Sequence, residues 1–542
     1  MLAYSAALMK PKPLLKESLR TLAVLVFMSL AYGYHDSTFM GPYSHHVYRQ
    51  SDCLAYTLNY YQGSGDFFHP ELLWIGGQGH GRIVSEFPVL YYTVAQLWKV
   101  FGQHHFIYRF LVLLILFYGL LMLFRLAREF LGDSFWALMI VVFLFTSKIL
   151  AYYGNNFLTD VPALALAMAA AWYYFRYFKQ DRIVWLYVSM SLFLLAGLLK
   201  ISALMLFFGI GAIHVWLVFF QRDKRKNLLT LIPFAMVIVV TAGWYAYARH
   251  YSQDNAGMFL QGILPIWELD GTAIKALIIS FYQHILPSFM NISGLFLLLF
   301  LFMYNILYWK QANPFFLALS ILLAFGSIVF VILFFQVFDV HDYYLTNLLI
   351  NIPLILLTFI DLFKRQHPNA LSDRRLKLLA TIGIILLMYG TASITRLKYD
   401  SRDILARASF FTDEKSQGFY NWYHWNYGVT LKGLEGISPW LEEVGVGSDS
   451  RVVSLPDFGI NNTLYLMERK GYTDFGYNDL TEGARMERFI MGGAEFLVVN
   501  DTNVYSARPW MRPYLQDKIG QRGNVEVFRL HTIAADTAMS VH

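Results

Sequence analysis

Eleven apolar runs recur along this chain, each near the length that crosses a bilayer, and they restrict the fold to a helical membrane protein. A bilayer core needs about 17–25 apolar residues per helix. Inside it every backbone N–H and C=O must be bonded within the spanning element itself. The runs cover about residues 18–34, 106–126, 134–152, 161–178, 183–199, 201–220, 228–248, 285–308, 315–336, 343–363 and 376–394. Soluble domains carry about 25% charged residues; here the share is 15%, with 18% aromatics and a mean hydropathy of +0.43. The net charge of +6 comes mostly from Lys and Arg in short clusters between the runs, so it is no nucleic-acid footprint and no nucleic-acid partner is expected. Cys53 is the one cysteine, so no intramolecular disulfide is possible.

The N-terminus admits two readings. Lys10, Lys12, Lys16 and Arg20 before Leu22–Ala31, with Ala31-Tyr32-Gly33 after it, fit a signal peptide. An uncleaved first span is preferred, because the polar loop that follows needs an anchor.

Charge between the runs alternates. One set of connectors holds the N-terminus, Arg125/Arg128, Arg176/Lys179/Arg182, Arg222/Lys224/Arg225/Lys226, Lys310 and Lys364/Arg365/Arg374/Arg375/Lys377. The other holds Asp52, Glu71, Glu86, Asp160, Asp254, Glu268, Asp270, Asp339 and Asp342, with few cations. Cytoplasmic connectors carry the Lys/Arg excess, so the acidic set faces out, and an odd span number puts the C-terminus outside as well. The expected location is a bacterial inner membrane, with a cytoplasmic N-terminus.

After about residue 395 charge rises and short strand-like runs alternate with helical ones. Arg451–Leu455, Glu495–Val499 and Val525–Phe528 read as buried strands. Leu431–Val444, Leu480–Met491 and Pro509–Ile519 read as helices between them. The expected architecture is a polytopic membrane domain, residues 1–394, with an extracytoplasmic loop at 35–105, followed by an extracytoplasmic α/β domain at 395–542.

That first loop is too long for a simple connector. Its core, residues 35–88, carries Arg49-Gln50-Ser51-Asp52 near its start and Glu86-Phe87-Pro88 at its end. Ionisable residues are nearly absent from span centres and gather at the outer ends: Asp52, Glu86, Arg109, Asp160, Lys200 and His341-Asp342-Tyr343-Tyr344. A charge in apolar sequence is costly and marks function by default, although Lys200 alone also suits snorkelling. A carboxylate at a membrane face can serve as general base, and Lys, Arg and His nearby stabilise a phosphate leaving group. That pairing suits transfer from a lipid-linked phosphate donor.

At these residues the chain resembles the GT-C superfamily of polyprenyl-phosphate-sugar-dependent glycosyltransferases. The branch it looks like holds the bacterial relatives of protein O-mannosyltransferases and the lipid A aminoarabinose transferase. Arg49-Gln-Ser-Asp52 is similar to that branch's Arg-Gln-x-Asp element, which implies Asp52 as catalytic base. Ser85-Glu86-Phe87-Pro88 with Leu90-Tyr91-Tyr92 is similar to its Glu-x-Pro-x-Leu-Tyr-Tyr element, with Phe87 where the aminoarabinose transferase has a lysine. Leu158-Thr159-Asp160-Val-Pro162 resembles the second acidic element, and Gly197-Leu-Leu-Lys200 a Gly-Leu-x-x-Lys turn whose lysine implies a donor-phosphate contact. His341-Asp-Tyr-Tyr344 is similar to the late His-x-Tyr-Tyr element, which implies a place near the lipid phosphate for His341, Tyr343 and Tyr344.

The resemblance implies inverting transfer of a sugar from a polyprenyl monophosphate to an extracytoplasmic glycan, lipid or protein. Asp52, as base, and Asp160 are the expected catalytic carboxylates. Lys200, His341, Tyr343, Tyr344 and Arg109 are the donor phosphate and lipid contacts, and Arg49 and Glu86 the sugar or acceptor contacts. Plainer roles stay open: a cap for Asp52 or Glu86, a dipole-favoured helix start for Asp160, an interfacial anchor for Arg109, Tyr343 and Tyr344. His45, His46, His69, His80, His104 and His105 fit no zinc spacing, so neither metal nor cofactor is expected. A lipid-linked-sugar flippase and an O-antigen-ligase-like transferase using a diphosphate donor are the competing functions. Clean span centres and the absence of a repeat argue against the first, and the first-loop Asp motif against the second.

Overall fold

The computed structural model describes residues 14–84, 86–220, 228–253, 259 and 262–531. Lys10, Lys12, Ser85, Arg222, Lys224, Arg225, Lys226 and Asp254 therefore lie outside the described residues. All eleven apolar runs are largely helical, and nine begin and end close to the expected bounds. Two are broken. The run at 134–152 splits into Ser134–Phe145 and Lys148–Tyr153, because Ser147 caps a new helix by accepting the Leu150 N–H. The run at 285–308 breaks at Met290, where the backbone is extended, and its two legs meet at 87°. Among the described residues, six helices are long and apolar enough to cross a membrane, or seven if that bent pair is one span. This is fewer than the eleven crossings expected. The Leu14–Ala31 helix holds Lys16, Glu17 and Arg20, the Asp160–Gln180 helix holds three charges of its own, and Ser134–Phe145 and Ile183–Leu199 are shorter apolar helices.

The outer helices are apolar on both sides, as a lipid surround requires. The Ile292–Leu307 helix buries Gly294, Leu298, Leu301 and Asn305 and exposes Phe296, Phe300, Met303 and Leu307. At the centre His105–Leu131 packs on Asp160–Gln180, which packs on Ile183–Leu199. The first contact is close: a Cβ on Gly119 would lie 2.5 Å from the Ala165 carbonyl oxygen. Cations gather at one end of this bundle. Arg128 pairs with Glu17 at 2.8 Å, Lys179 with Glu129 at 2.7 Å, and Lys364 donates to the Leu131 carbonyl at 2.6 Å.

The loop at 35–88 is largely built structure. Val47–Gln62 is a helix, so Asp52 sits on a helical turn, and Val89–Phe101 packs beside it. Gly63, at φ 84°, ends the first of these in a left-handed cap.

Beyond Tyr399 a five-stranded sheet forms from β1 (Val452–Leu455), β2 (Gly471–Tyr472), β3 (Phe496–Val499), β4 (Asp517–Arg522) and β5 (Val525–Arg529). The order is β2-β1-β3-β5-β4, with β1 parallel to β2 and β3, and β5 antiparallel to β3 and β4. The three expected strands are β1, β3 and β5. The expected helix at 480–491 is present as Glu482–Met491, but the other two differ. Residues 431–444 hold a 3₁₀ turn and a six-residue helix, Ser438–Glu443. Residues 509–519 hold a 3₁₀ turn with Pro513 inside it and then enter β4, a polar edge strand whose side chains gave no apolar alternation to read. The sheet is joined to the first loop: Ile75 N–H donates to Gly471 O at 2.9 Å, and Gly471 N–H to Leu73 O at 3.0 Å.

The close helix contact is testable. Gly119→Leu should destabilise the detergent-solubilised protein by about 1–3 kcal/mol or more, as overpacking does. Gly383→Leu, at a helical glycine with open space around it, should not. Equal thermal unfolding midpoints for the two variants would contradict the packing.

Candidate active site

The site is assembled by helix arithmetic. Asp160 opens one helix and Lys200 follows the next, and Asp181, left-handed at φ 55°, turns the chain between them. Helices of 21 and 17 residues rise about 31 and 26 Å, so an antiparallel hairpin returns Lys200 to the level of Asp160. The Lys200 ammonium lies 3.2 Å from Asp160 and 3.9 Å from Glu86. Glu86 reaches it because the Phe87 N–H donates to Leu198 O at 2.9 Å, stitching the end of the first loop to the end of the hairpin. Phe87 itself turns away and packs edge-on against Trp244, ring centroids 4.9 Å apart. Tyr343 and Tyr344 stand over the Lys200 ammonium at 5.4 and 4.9 Å, within cation–π range.

These groups border a cavity of about 1620 Å³ at the end of the bundle opposite the basic cluster. Arg49, Asp52, Glu86, Lys200, His341, Tyr343 and Tyr344 all line it. Asp160 sits behind Lys200, fully buried. Arg49 is committed to Glu86 in a short ion pair and stands 3.9 Å from Asp52. Asp52 thus shares Arg49 with Glu86, at the longer of the two distances. Its Oδ1 accepts from the Asn461 side-chain amide at 2.7 Å. Asn461 is held in turn, since its Oδ1 accepts the Leu73 and Trp74 N–H groups at 3.1 and 3.2 Å. Burial pushes the Asp52 carboxyl up to about 6, against the lowering effect of Arg49 and the Asn461 hydrogen bond. It therefore ionises close to neutrality, which suits a general base.

One expected residue is elsewhere. Arg109 is fully buried and does not reach the cavity. Its guanidinium donates to the carbonyls of Met40 at 2.9 Å and Gly41 at 3.0 Å and, closer still, to that of Asn155, and lies 4.2 Å over Phe157. Its donors are spent on backbone, so a phosphate contact from Arg109 is replaced by a structural role.

Several residues at or behind the cavity wall escaped the sequence reading. Lys148, Arg249 and Lys398 add cations. Asn461, more than 400 positions from its partner, had no local signal at all. His45 and His46 stood out in the sequence as histidines, yet Asp342, which they face at 3.6 and 3.3 Å, lies nearly 300 positions away.

Residues 85–247 match the family model described as dolichyl-phosphate-mannose-protein mannosyltransferase. No curated protein matches the chain by sequence. The fold is similar to that of ArnT from Cupriavidus metallidurans, solved in the apo state and bound to undecaprenyl phosphate. Each comparison has a TM-score of 0.56 at 11% identity and covers 95% of this chain and 98% of that one. The chain shares that fold, a domain with several helices long and apolar enough to cross a membrane followed by a small sheet domain.

The Asp52–Asn461 bond makes a direct prediction. In the infrared carboxyl band isolated by difference against Asp52→Asn, Asp52 should titrate near pH 6. Asn461→Ala removes a hydrogen bond to the charged form, so the midpoint should move above that value. An unmoved midpoint would mean that the amide does not hold the carboxylate.

Proposed function

We propose that this protein is a membrane glycosyltransferase that moves a sugar from a polyprenyl-monophosphate donor to an extracytoplasmic acceptor, with inversion at the anomeric carbon. One observation carries the reading: Asp52, a buried carboxyl that burial pushes up to about 6, lines the same cavity as Lys200. The first is a base for the acceptor and the second a cation for the departing phosphate. The cavity, at about 1620 Å³, exceeds the roughly 300–1,000 Å³ of single-ligand pockets, which leaves room for two reactants. The GT-C fold and the undecaprenyl phosphate bound by the ArnT structure support a lipid-phosphate donor.

In the proposed step the acceptor O–H or N–H gives its proton to Asp52 Oδ2, while Asn461 holds Oδ1. The acceptor atom forms its bond to the anomeric carbon as the bond from that carbon to the phosphate oxygen breaks. The electron pair leaves on polyprenyl phosphate. The charge that develops there falls to Lys200, with His341, Tyr343 and Tyr344 beside it, and preorganised cations stabilise such charge without reorganising. Asp160 and Glu86 keep Lys200 charged and aimed, and Arg49 keeps Glu86 in place. The chain sits in a bacterial inner membrane with its basic end cytoplasmic, so that cavity and sheet domain face out.

The test is release of polyprenyl phosphate from a panel of undecaprenyl-phosphate sugars supplied with cell-envelope acceptors. Asp52→Asn should lower turnover by about 10²–10⁴-fold, and Lys200→Ala by about 10²–10³-fold. Because the base acts only when ionised, wild-type activity should fall as pH drops through about 6. Equal release by wild type and Asp52→Asn would refute the assignment of the base.

A further inference from the structure

We propose that His45, His46 and Asp342 form a binding site for one divalent transition-metal ion of the zinc class on the cavity wall. The three offer one ligand atom each, all within 4.8 Å of one another. His46 Nε2 lies 3.3 Å from Asp342 Oδ1 and His45 Nε2 3.6 Å from Asp342 Oδ2. Ligands about 2.0–2.1 Å from a tetrahedral zinc ion stand about 3.3–3.4 Å apart, so the two His–Asp pairs are near that spacing, and side-chain rotation must draw the three ligand atoms in from their 4.8 Å spread to close on a cation. The backbone prepares it: Ser44 and His46 both have positive φ, 63° and 56°, and the reversal brings two successive imidazoles to centroids 4.0 Å apart.

The polar atoms themselves point to a missing partner. His46 Nε2 and Asp342 Oδ2 are both buried without a hydrogen bond, a state that native interiors avoid. The surroundings are already ordered. Tyr153 O–H donates to Asp342 Oδ1 at 2.5 Å, and the His45 carbonyl accepts from Tyr152 O–H at 2.8 Å and from the Gln50 side-chain amide at 2.9 Å. Outer partners of this kind orient metal ligands. Two nitrogens and one carboxylate leave a fourth position for water or an oxygen of a cavity ligand, the arrangement of an open zinc site. His45, His46 and Asp342 all line the cavity, so that position gives onto it. Linear spacing argued against a metal because the carboxylate arrives from a distant helix.

Lys398 supplies the competing account. Its ammonium is buried 3.9 Å from Asp342 Oδ2 and lies 4.5 Å over the Tyr152 ring. If it alone neutralises Asp342, the histidines are spectators and no ion binds. With an ion in place, the Lys398 charge beside Asp342 Oδ2 lowers the affinity, because Lys398 is not itself one of the three ligands.

Metal content distinguishes the two, without reference to any enzymatic activity. Purified full-length protein in detergent is stripped with EDTA, loaded with zinc or cobalt(II), desalted and measured by elemental mass spectrometry, with cobalt also followed by its visible absorption. Wild type and Asp52→Asn should each hold one ion per chain. His46→Ala and Asp342→Asn should each weaken binding more than ~100-fold, beyond the ~10–100-fold of outer-partner changes. Lys398→Met should bind as tightly or more tightly. Monodisperse elution confirms folding of each variant, and either ligand variant suffices if the other does not fold. Wild type that takes up neither zinc nor cobalt, or folded His46→Ala that binds like wild type, would overturn the site.

Discussion

The ion pair of Lys200 with Asp160 is the constraint on which the polar end of this molecule depends. A charge carried to the end of an apolar hairpin must be neutralised there, and removing one partner of a buried pair typically costs about 3–5 kcal/mol. Here the pairing is shared. Lys200 stands between Asp160 and Glu86, and Glu86 is also held by Arg49 from the Val47–Gln62 helix. The chain of charges therefore ties the central hairpin to both ends of the first loop. Asp160 and Glu86 are thereby committed to cations, whereas Asp52 keeps a neutral amide as its hydrogen-bond donor and Arg49 at a longer distance.

That division of labour explains the place of the sheet domain. Its Asn461 reaches across to Asp52, and its Gly471 bonds to the backbone of Leu73 and Ile75 in the first loop. The domain thus lines part of the cavity and adds to burial and Arg49 a hydrogen bond that favours the charged form of Asp52. Hydrogen bonds of this kind between segments rigidify a site.

Much of this was legible in the sequence for a simple reason: membrane physics is local. Run length and the distribution of Lys and Arg need no tertiary knowledge, and the eleven runs became helices. Asp52, Glu86, Lys200 and the His341–Tyr344 segment were readable because charge in apolar surroundings is expensive enough to stand out. Arg109 passed the same filter and was misjudged. A buried arginine bonding to carbonyls and one facing a cavity look identical in one dimension. The edge strand β4 was missed because a polar strand at a sheet margin carries no alternating pattern.

The sequence by itself determined the class of fold, the polar end of each helix and most of the charged residues at the candidate site. These follow from transfer free energies that act residue by residue. Tertiary structure alone decided which charges meet. It gave Lys200 two carboxylates, sent Arg109 to the backbone, brought Asn461 to Asp52 across more than 400 positions and set His45 and His46 against Asp342. Those pairings depend on distances of a few ångströms between segments far apart in the chain, and only packing sets such distances.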